Sequence, residues 1–241
     1  MCIFSSDIVV KSTKVMAAQL HNDNRLLAYQ NSVVSKTDNV MMLPIPCNYE
    51  GVVFLDTRPF ANFLEDIALK IARKEVEGTR GMLDVPKGFD RVGQYRYKLV
   101  PEEALEYELK ELNQPVYPWL DEMTEKYRGW SWLLCIIDAG AEMKNQPLLI
   151  EYVSIIDGLY FPMMDIHGND GIQPTAHRDH VVIAGHKNNK NPIAHGREYP
   201  EFPYQDLNFV GVTLNGNMPN GDIFMKEIFV DGKIDWNSKW K

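Results

Sequence analysis

The residues of this chain that could do chemistry gather in two places. Residues 161–185, FPMMDIHGNDGIQPTAHRDHVVIAG, hold three of the six histidines, His167, His177 and His180, together with Asp165, Asp170 and Asp179. The second place is Cys2, directly after the initiator Met. Side chains two apart on a strand share a face. Asp165 and His167 therefore point the same way, as do His177 and Asp179, with His180 on the opposite face. The segment reads as strand, Gly-rich turn, strand, which can bring Asp165, His167, His177 and Asp179 to one face. A mixed imidazole and carboxylate set suits zinc or another divalent transition metal. Without a metal, the same groups can stabilise the turn through ordinary His–Asp hydrogen bonds.

Cys2 offers different chemistry. Removal of Met1 would leave an α-amine and a thiol on one residue, so that the amine serves as base and the thiol as nucleophile. Alternatively His167 or His180 is the base, oriented by Asp165 or Asp179, in a Cys-His-Asp triad that needs no free amine. Asp23, Arg25 and Asn31 are candidates for supporting groups. The plain alternative is a small apolar residue packed in the first strand. The leading expectation is a cysteine-dependent hydrolase of amide or related acyl bonds, with Cys2, His167, Asp179 and His180 catalytic. Its substrate would be a small molecule or peptide-like, and it would need no cofactor. A non-catalytic binding or structural protein is the competing class. A metal-dependent enzyme, with the metal on Asp165, His167, His177 and Asp179, is third.

Composition narrows the partners. With 25 basic and 33 acidic residues the net charge is −8, and no basic run marks a nucleic-acid or membrane footprint. The longest apolar runs are far too short to span a bilayer. No basic region followed by an apolar stretch opens the chain, so no signal peptide is expected. The three cysteines are widely spaced, which fits free thiols in the cytoplasm. Cys135, inside WSWLLCII, and Cys47, after LPIP, are expected to be buried.

The elements that must position these groups follow from periodicity. Segments 14–20 and 25–34 flank the polar turn His21–Asn22–Asp23–Asn24 as a hairpin. Short strands are predicted at 40–45 and 52–55. Phe60, Phe63, Leu64, Ile67 and Ile71 make one helix face, with Asp56 or Thr57 as cap and Pro59 in the first turn. Residues 77–91 read as loop and 92–99 as a strand. Helices are predicted at 101–113 and 119–127. Strands follow at 130–137, 148–155, 159–166, 181–184, 209–214 and 223–230, with a surface loop over 185–206. The aromatic group Tyr117, Trp119, Tyr127, Trp130 and Trp132 is assigned to the core, with the lining of a ligand pocket as the alternative. His186 and His195 are read as solvent-exposed and given no role. The expectation is an α+β fold: a single domain over 1–241, mostly antiparallel sheet, with two or three helices in the middle.

Several blocks resemble an uncharacterised bacterial protein family. They are the MCIFS start, TKVMAAQL with RLLAYQNSV, MMLPIP, VGQYRYKLVP, YRGWSWLLCII, QPLLIEY, LYFPMMDIHG and AHRDHVVIAG. The likeness covers 1–185, with 186–241 adding a loop and C-terminal strands. It implies that the Cys2 start and the DIHG…HRDH block belong to one architecture, and it carries no activity. The helix pattern after VGQYRYKLVP departs from that family. The Met-Cys start is also similar to that of N-terminal-nucleophile hydrolases that use Cys. TAHRDH partly matches the HxHxDH motif of metallo-β-lactamases, but Thr175 stands in place of the first His and the match is rejected.

Overall fold

Ile3–Phe4 forms β1, two buried residues. Val9–Gln19 (β2) and Asn24–Val34 (β3) make the hairpin expected from the polar turn, closed by Leu20 N–H donating to Asn24 O at 3.0 Å. Asn39–Ile45 is β4 and Val53–Phe54 is β5. The helix Phe63–Val76 (α1) comes next, then strand Arg96–Pro101 (β6) and the helices Leu105–Glu111 (α2) and Trp119–Lys126 (α3). Strands follow among the described residues: Ser131–Ile137 (β7), Glu142–Lys144 (β8), Leu148–Val153 (β9), Leu159–Phe161 (β10), Ile166–His167 (β11), Thr175–His186 (β12), Ala194–His195 (β13), Asn208–Pro219 (β14) and Ile223–Met225 (β15). This computed structural model describes residues 3–20, 24–76, 96–140, 142–144, 147–189 and 191–225.

Among the described residues the strands form two main sheets. The larger runs β13-β14-β12-β2-β3-β9-β5, with β8 beside β3, and the smaller runs β11-β1-β4-β7-β6; β10 and β15 pair separately. Pairing is antiparallel except at β1 with β11 and β12 with β2. The α+β, mostly antiparallel expectation therefore holds.

Strands buried on both faces read as near-continuous apolar runs, and β2 and β3 do so because both their faces are covered. Val15, Ala17, Leu27 and Tyr29 pack against Met41, Leu43, Leu133 and Cys135 of the smaller sheet. On the other face, Met16, Ala18, Leu26 and Ala28 receive Phe63, Leu64, Ile67 and Ile71 of α1. The smaller sheet turns Val40, Met42, Trp132 and Leu134 outward onto Leu105 and Leu109 of α2 and Leu120 and Met123 of α3. The result is four layers: helix, sheet, sheet, helices. Cys47 and Cys135 are buried and form no disulfide, and burial pushes the Cys47 thiol up to about 11. No helix among the described residues is long and apolar enough to cross a membrane.

Three details differ from expectation. The helix expected from Phe60 begins at Phe63, because Arg58–Phe60 is a separate 3-10 turn. Neither proposed cap is used there: Thr57 Oγ1 donates to Pro147 O, and Asp56 accepts from its neighbour Arg58. The strand expected over 159–166 is split into β10 and β11; Pro162, which has no amide hydrogen to give to a ladder, follows β10 directly. The expected surface loop 185–206 is partly core. Ala194 and Phe202 are buried in the α1 layer, and His195 is only half-exposed, its Nδ1 2.6 Å from Asn208 Oδ1. The expected loop 77–91, the residues 92–95 and the end of the last strand lie outside the described residues, as do Trp236 and Trp240.

That 185–206 segment is held by close backbone approach. A Cβ on Gly196 would stand 2.2 Å from Tyr204 O. A carbonyl fixed in the chain cannot swing aside as a flexible side chain can. Gly196→Ala is expected to lower stability by about 1–3 kcal/mol, read from urea unfolding; an unchanged midpoint would show that the 196–207 loop yields freely.

Candidate functional site

The parallel pairing of β1 with β11 sets Ile3 opposite Ile166 and Phe4 opposite His167. Cys2 itself lies outside the described residues. Just before β11, the Asp165 carboxylate and His167 Nε2 approach to 3.0 Å, off the line of a hydrogen bond. Burial pushes the Asp165 carboxyl up, but the neighbouring His167 imidazole and the Arg178 guanidinium act against it, and the carboxyl lies below its ordinary value. The His167 ring also meets Phe4 edge to face, at 5.4 Å between centroids. Gly168 follows in the left-handed region, φ 53°, and a Cβ there would meet Asp7 Oδ1 at 2.6 Å. Its carbonyl accepts from Trp119 Nε1 at 2.8 Å, which ties this corner to α3.

The second half of the motif is one long strand, β12, and its burial alternates as the spacing requires. His177 and Asp179 face solvent; Arg178 and His180 face inward. Asp179 Oδ2 accepts from Ser12 N at 2.8 Å. Ser12 has φ 54° and sits in the irregularity of β2 between Lys11 and Lys14. An extra residue in one strand leaves an amide outside the ladder, and Asp179 satisfies it. His180 is 1% exposed. Its Nδ1 accepts from Asp179 N at 2.9 Å, while the Asp179 carboxylate lies 3.3 Å away. Accepting that amide means Nδ1 carries no proton, so it does not donate to the carboxylate. A triad with His180 as base needs the opposite arrangement.

The structure thus brings together Asp165 with His167, and Asp179 with His180, as two separate pairs. His177 is an exposed residue on the Asp179 face. Among the described residues no three His, Cys, Asp or Glu side chains stand in a metal-holding group.

Burial pushes the His180 imidazole down to about 3. The folded chain excludes a proton that the unfolded chain binds near its ordinary 6.5. The stability this gives is complete above that value and is lost as the pH falls toward 3, at about 1.4 kcal/mol per pH unit. His180→Asn, which keeps an acceptor for the Asp179 amide, is expected to flatten that acid limb. Urea unfolding between neutral and mildly acidic pH checks it; an unchanged slope would mean His180 does not titrate across unfolding.

Residues that the motif reading passed over organise this region. Asp222 is fully buried; its Oδ1 accepts from Met163 N at 2.8 Å and Met164 N at 2.9 Å, and its Oδ2 accepts from Tyr127 Oη. Burial outweighs these donors and pushes its carboxyl up. Asn220 makes a two-way clasp with the Asp165 backbone, accepting from N and donating to O, both at 2.8 Å. Arg178 is also fully buried and donates to Met163 O at 2.6 Å. Burial lowers its guanidinium's affinity for the proton, and Asp165 and Asp222 partly restore it. The turn between β14 and β15 therefore fixes residues 163–165, the approach to the Asp165–His167 pair. One sequence signal was available: if His177 and Asp179 face outward, Arg178 must face inward.

No family model matches the chain, and no curated protein matches it. Among solved structures, the fold is similar to that of baculovirus P35 at a TM-score of 0.53 and 20% identity, over 76% of this chain and 67% of that one. A mutated P35 after caspase cleavage (TM-score 0.48, 18% identity, covering 72% of this chain and 65% of that one) and the caspase-8/P35 complex (0.45, 19%, 72% and 63%) also match. Of these, the first alone aligns well enough to speak for the architecture, and at this identity the likeness is one of fold.

Proposed function

We propose that this chain is a non-catalytic binding protein whose partner is a cysteine protease of the caspase class. One observation carries the reading: the shared fold with P35, whose solved structures include a form after caspase cleavage and a complex with caspase-8. The site geometry agrees. Asp179 is engaged by the Ser12 bulge and His180 is sealed in the sheet. A cytoplasmic location fits the buried cysteines, which form no disulfide. The test titrates full-length protein into active caspase-8 and reads both residual activity and complex formation. Stoichiometric binding with loss of protease activity is expected. Neither binding nor inhibition of caspase-8 or another caspase would sink the reading.

A second reading, the cysteine-dependent hydrolase using Cys2, draws on one observation. The strand that follows Cys2 pairs alongside Ile166–His167, next to the Asp165–His167 pair. Limiting alkylation of native protein, read by intact mass and peptide mapping, separates the two. Fast, selective labelling of Cys2 with acyl-transfer activity lost in Cys2→Ala supports it; an inert thiol removes it.

A further inference from the structure

We infer that the outer edge of β6 is a docking strand for an extended, lysine- or arginine-bearing segment of a partner protein. A sheet edge is a template for pairing, and proteins shorten the edges that must stay free. The sheet ends at β5, β11 and β13 are two-residue strands, and β13 covers only Asn208 and Phe209 of β14, whose remaining outer edge is also unpaired among the described residues. β6 is six residues long and, among the described residues, pairs with β7 alone. It lies at the surface: the Arg96 and Lys98 side chains are 68% and 56% exposed.

Its surroundings carry the residues that interfaces favour. Tyr97, 47% exposed, stacks on Phe54 at 4.2 Å between centroids, where the edges of the two sheets meet. Tyr49 and Tyr107, 51% and 62% exposed, both lie near enough to raise the Lys98 ammonium behind its partner Glu108. Tyrosines of this kind supply rigid, amphipathic contact area.

Charge selects the occupant. Both cations of β6 are already paired, Arg96 with Asp138 and Lys98 with Glu108, each at 2.6 Å. An open cavity of about 250 Å³ begins at Arg96 and runs between the strand ends and the end of α2, lined by Asp38, Glu111 and Asp138. Four carboxylates thus surround two neutralised cations. A strand added to β6 lies about 4.8 Å away, within the reach of a lysine or arginine side chain toward that cavity. A second copy of this chain is the poorer occupant, since each copy carries −8.

This inference goes beyond the protease reading and does not depend on it. The test uses full-length protein and a fluorescent short peptide alternating lysine with threonine or valine, at low salt. Saturable binding is expected by anisotropy. Methylating alternate peptide amides, which blocks strand pairing, should weaken it about tenfold or more. The variant Asp38→Asn/Glu111→Gln/Asp138→Asn, confirmed folded by its unfolding midpoint, should weaken it by a similar factor. A glutamate-for-lysine peptide should not bind. The inference is overturned if the lysine peptide does not saturate, or if binding ignores either the amide methylation or the charge variant. A self-associated dimer that Tyr97→Asp dissolves would also overturn it, by giving the edge to a second copy. Caspase-8 titration of the same variant reports separately on the protease reading.

Discussion

Asp222→Ala is expected to cost about 3–5 kcal/mol. The carboxylate is fully buried and receives three donors: the amides of Met163 and Met164 and the Tyr127 hydroxyl. Alanine removes the acceptor that all three share at a fully buried site. Each stranded donor costs about 1–3 kcal/mol, and the site is fully buried. For a chain of this size the loss corresponds to a fall of about 6–20 °C in Tm. Urea unfolding reads the free energy, and amide exchange at Met163 and Met164 reads the site. A cost below about 1 kcal/mol would mean that the 163–165 segment finds other acceptors.

Arg178→Met is expected to cost about 3–5 kcal/mol for a related reason. Methionine matches the volume of the stem but leaves Met163 O without its donor at 2.6 Å and withdraws the positive charge felt by Asp165 and Asp222. Arg178→Lys is not expected to rescue, because an ammonium cannot span Met163 O, Pro219 O and Asn220 Oδ1 as the guanidinium does. The two sites are coupled through charge. Once Arg178 is gone, the Asp222 carboxylate is harder to keep ionised, so replacing it costs less. Arg178→Met combined with Asp222→Asn should therefore cost less than the sum of the single changes. Strict additivity in unfolding measurements would show that the two groups stabilise the region independently.

Much of the fold was legible because its signals are local. The hairpin of β2 and β3, the apolar stripe of α1 and the aromatic burial around Trp132 all follow from short-range period and composition. The relative faces were legible too, His177 and Asp179 on one and His180 on the other; that the first of these is the solvent face comes from the burial of β12. What stayed hidden depends on distant partners. Nothing near Asp179 announces that its carboxylate answers an amide 167 positions away at Ser12. Nothing in the turn at 220–222 announces that it clasps Asp165. The helix start slipped from Phe60 to Phe63 because Thr57 found a tertiary acceptor, Pro147 O, in place of a cap. Such choices are made by the packed chain and leave no periodic trace.

The placing of β1 also sets a timetable. A two-residue strand from the very start of the chain sits between β4 and β11, whose residues come at 39–45 and 166–167. In the other sheet β2 waits for β12, which begins at Thr175. On a ribosome, neither sheet can be completed until most of the chain has emerged. The early hairpin must travel meanwhile with an open edge, since its neighbour β12 begins only at Thr175. Closure of such long loops makes for slow folding and a nascent state prone to association. Ile3–Phe4 gains its second neighbour only once residues 166–167 have been made.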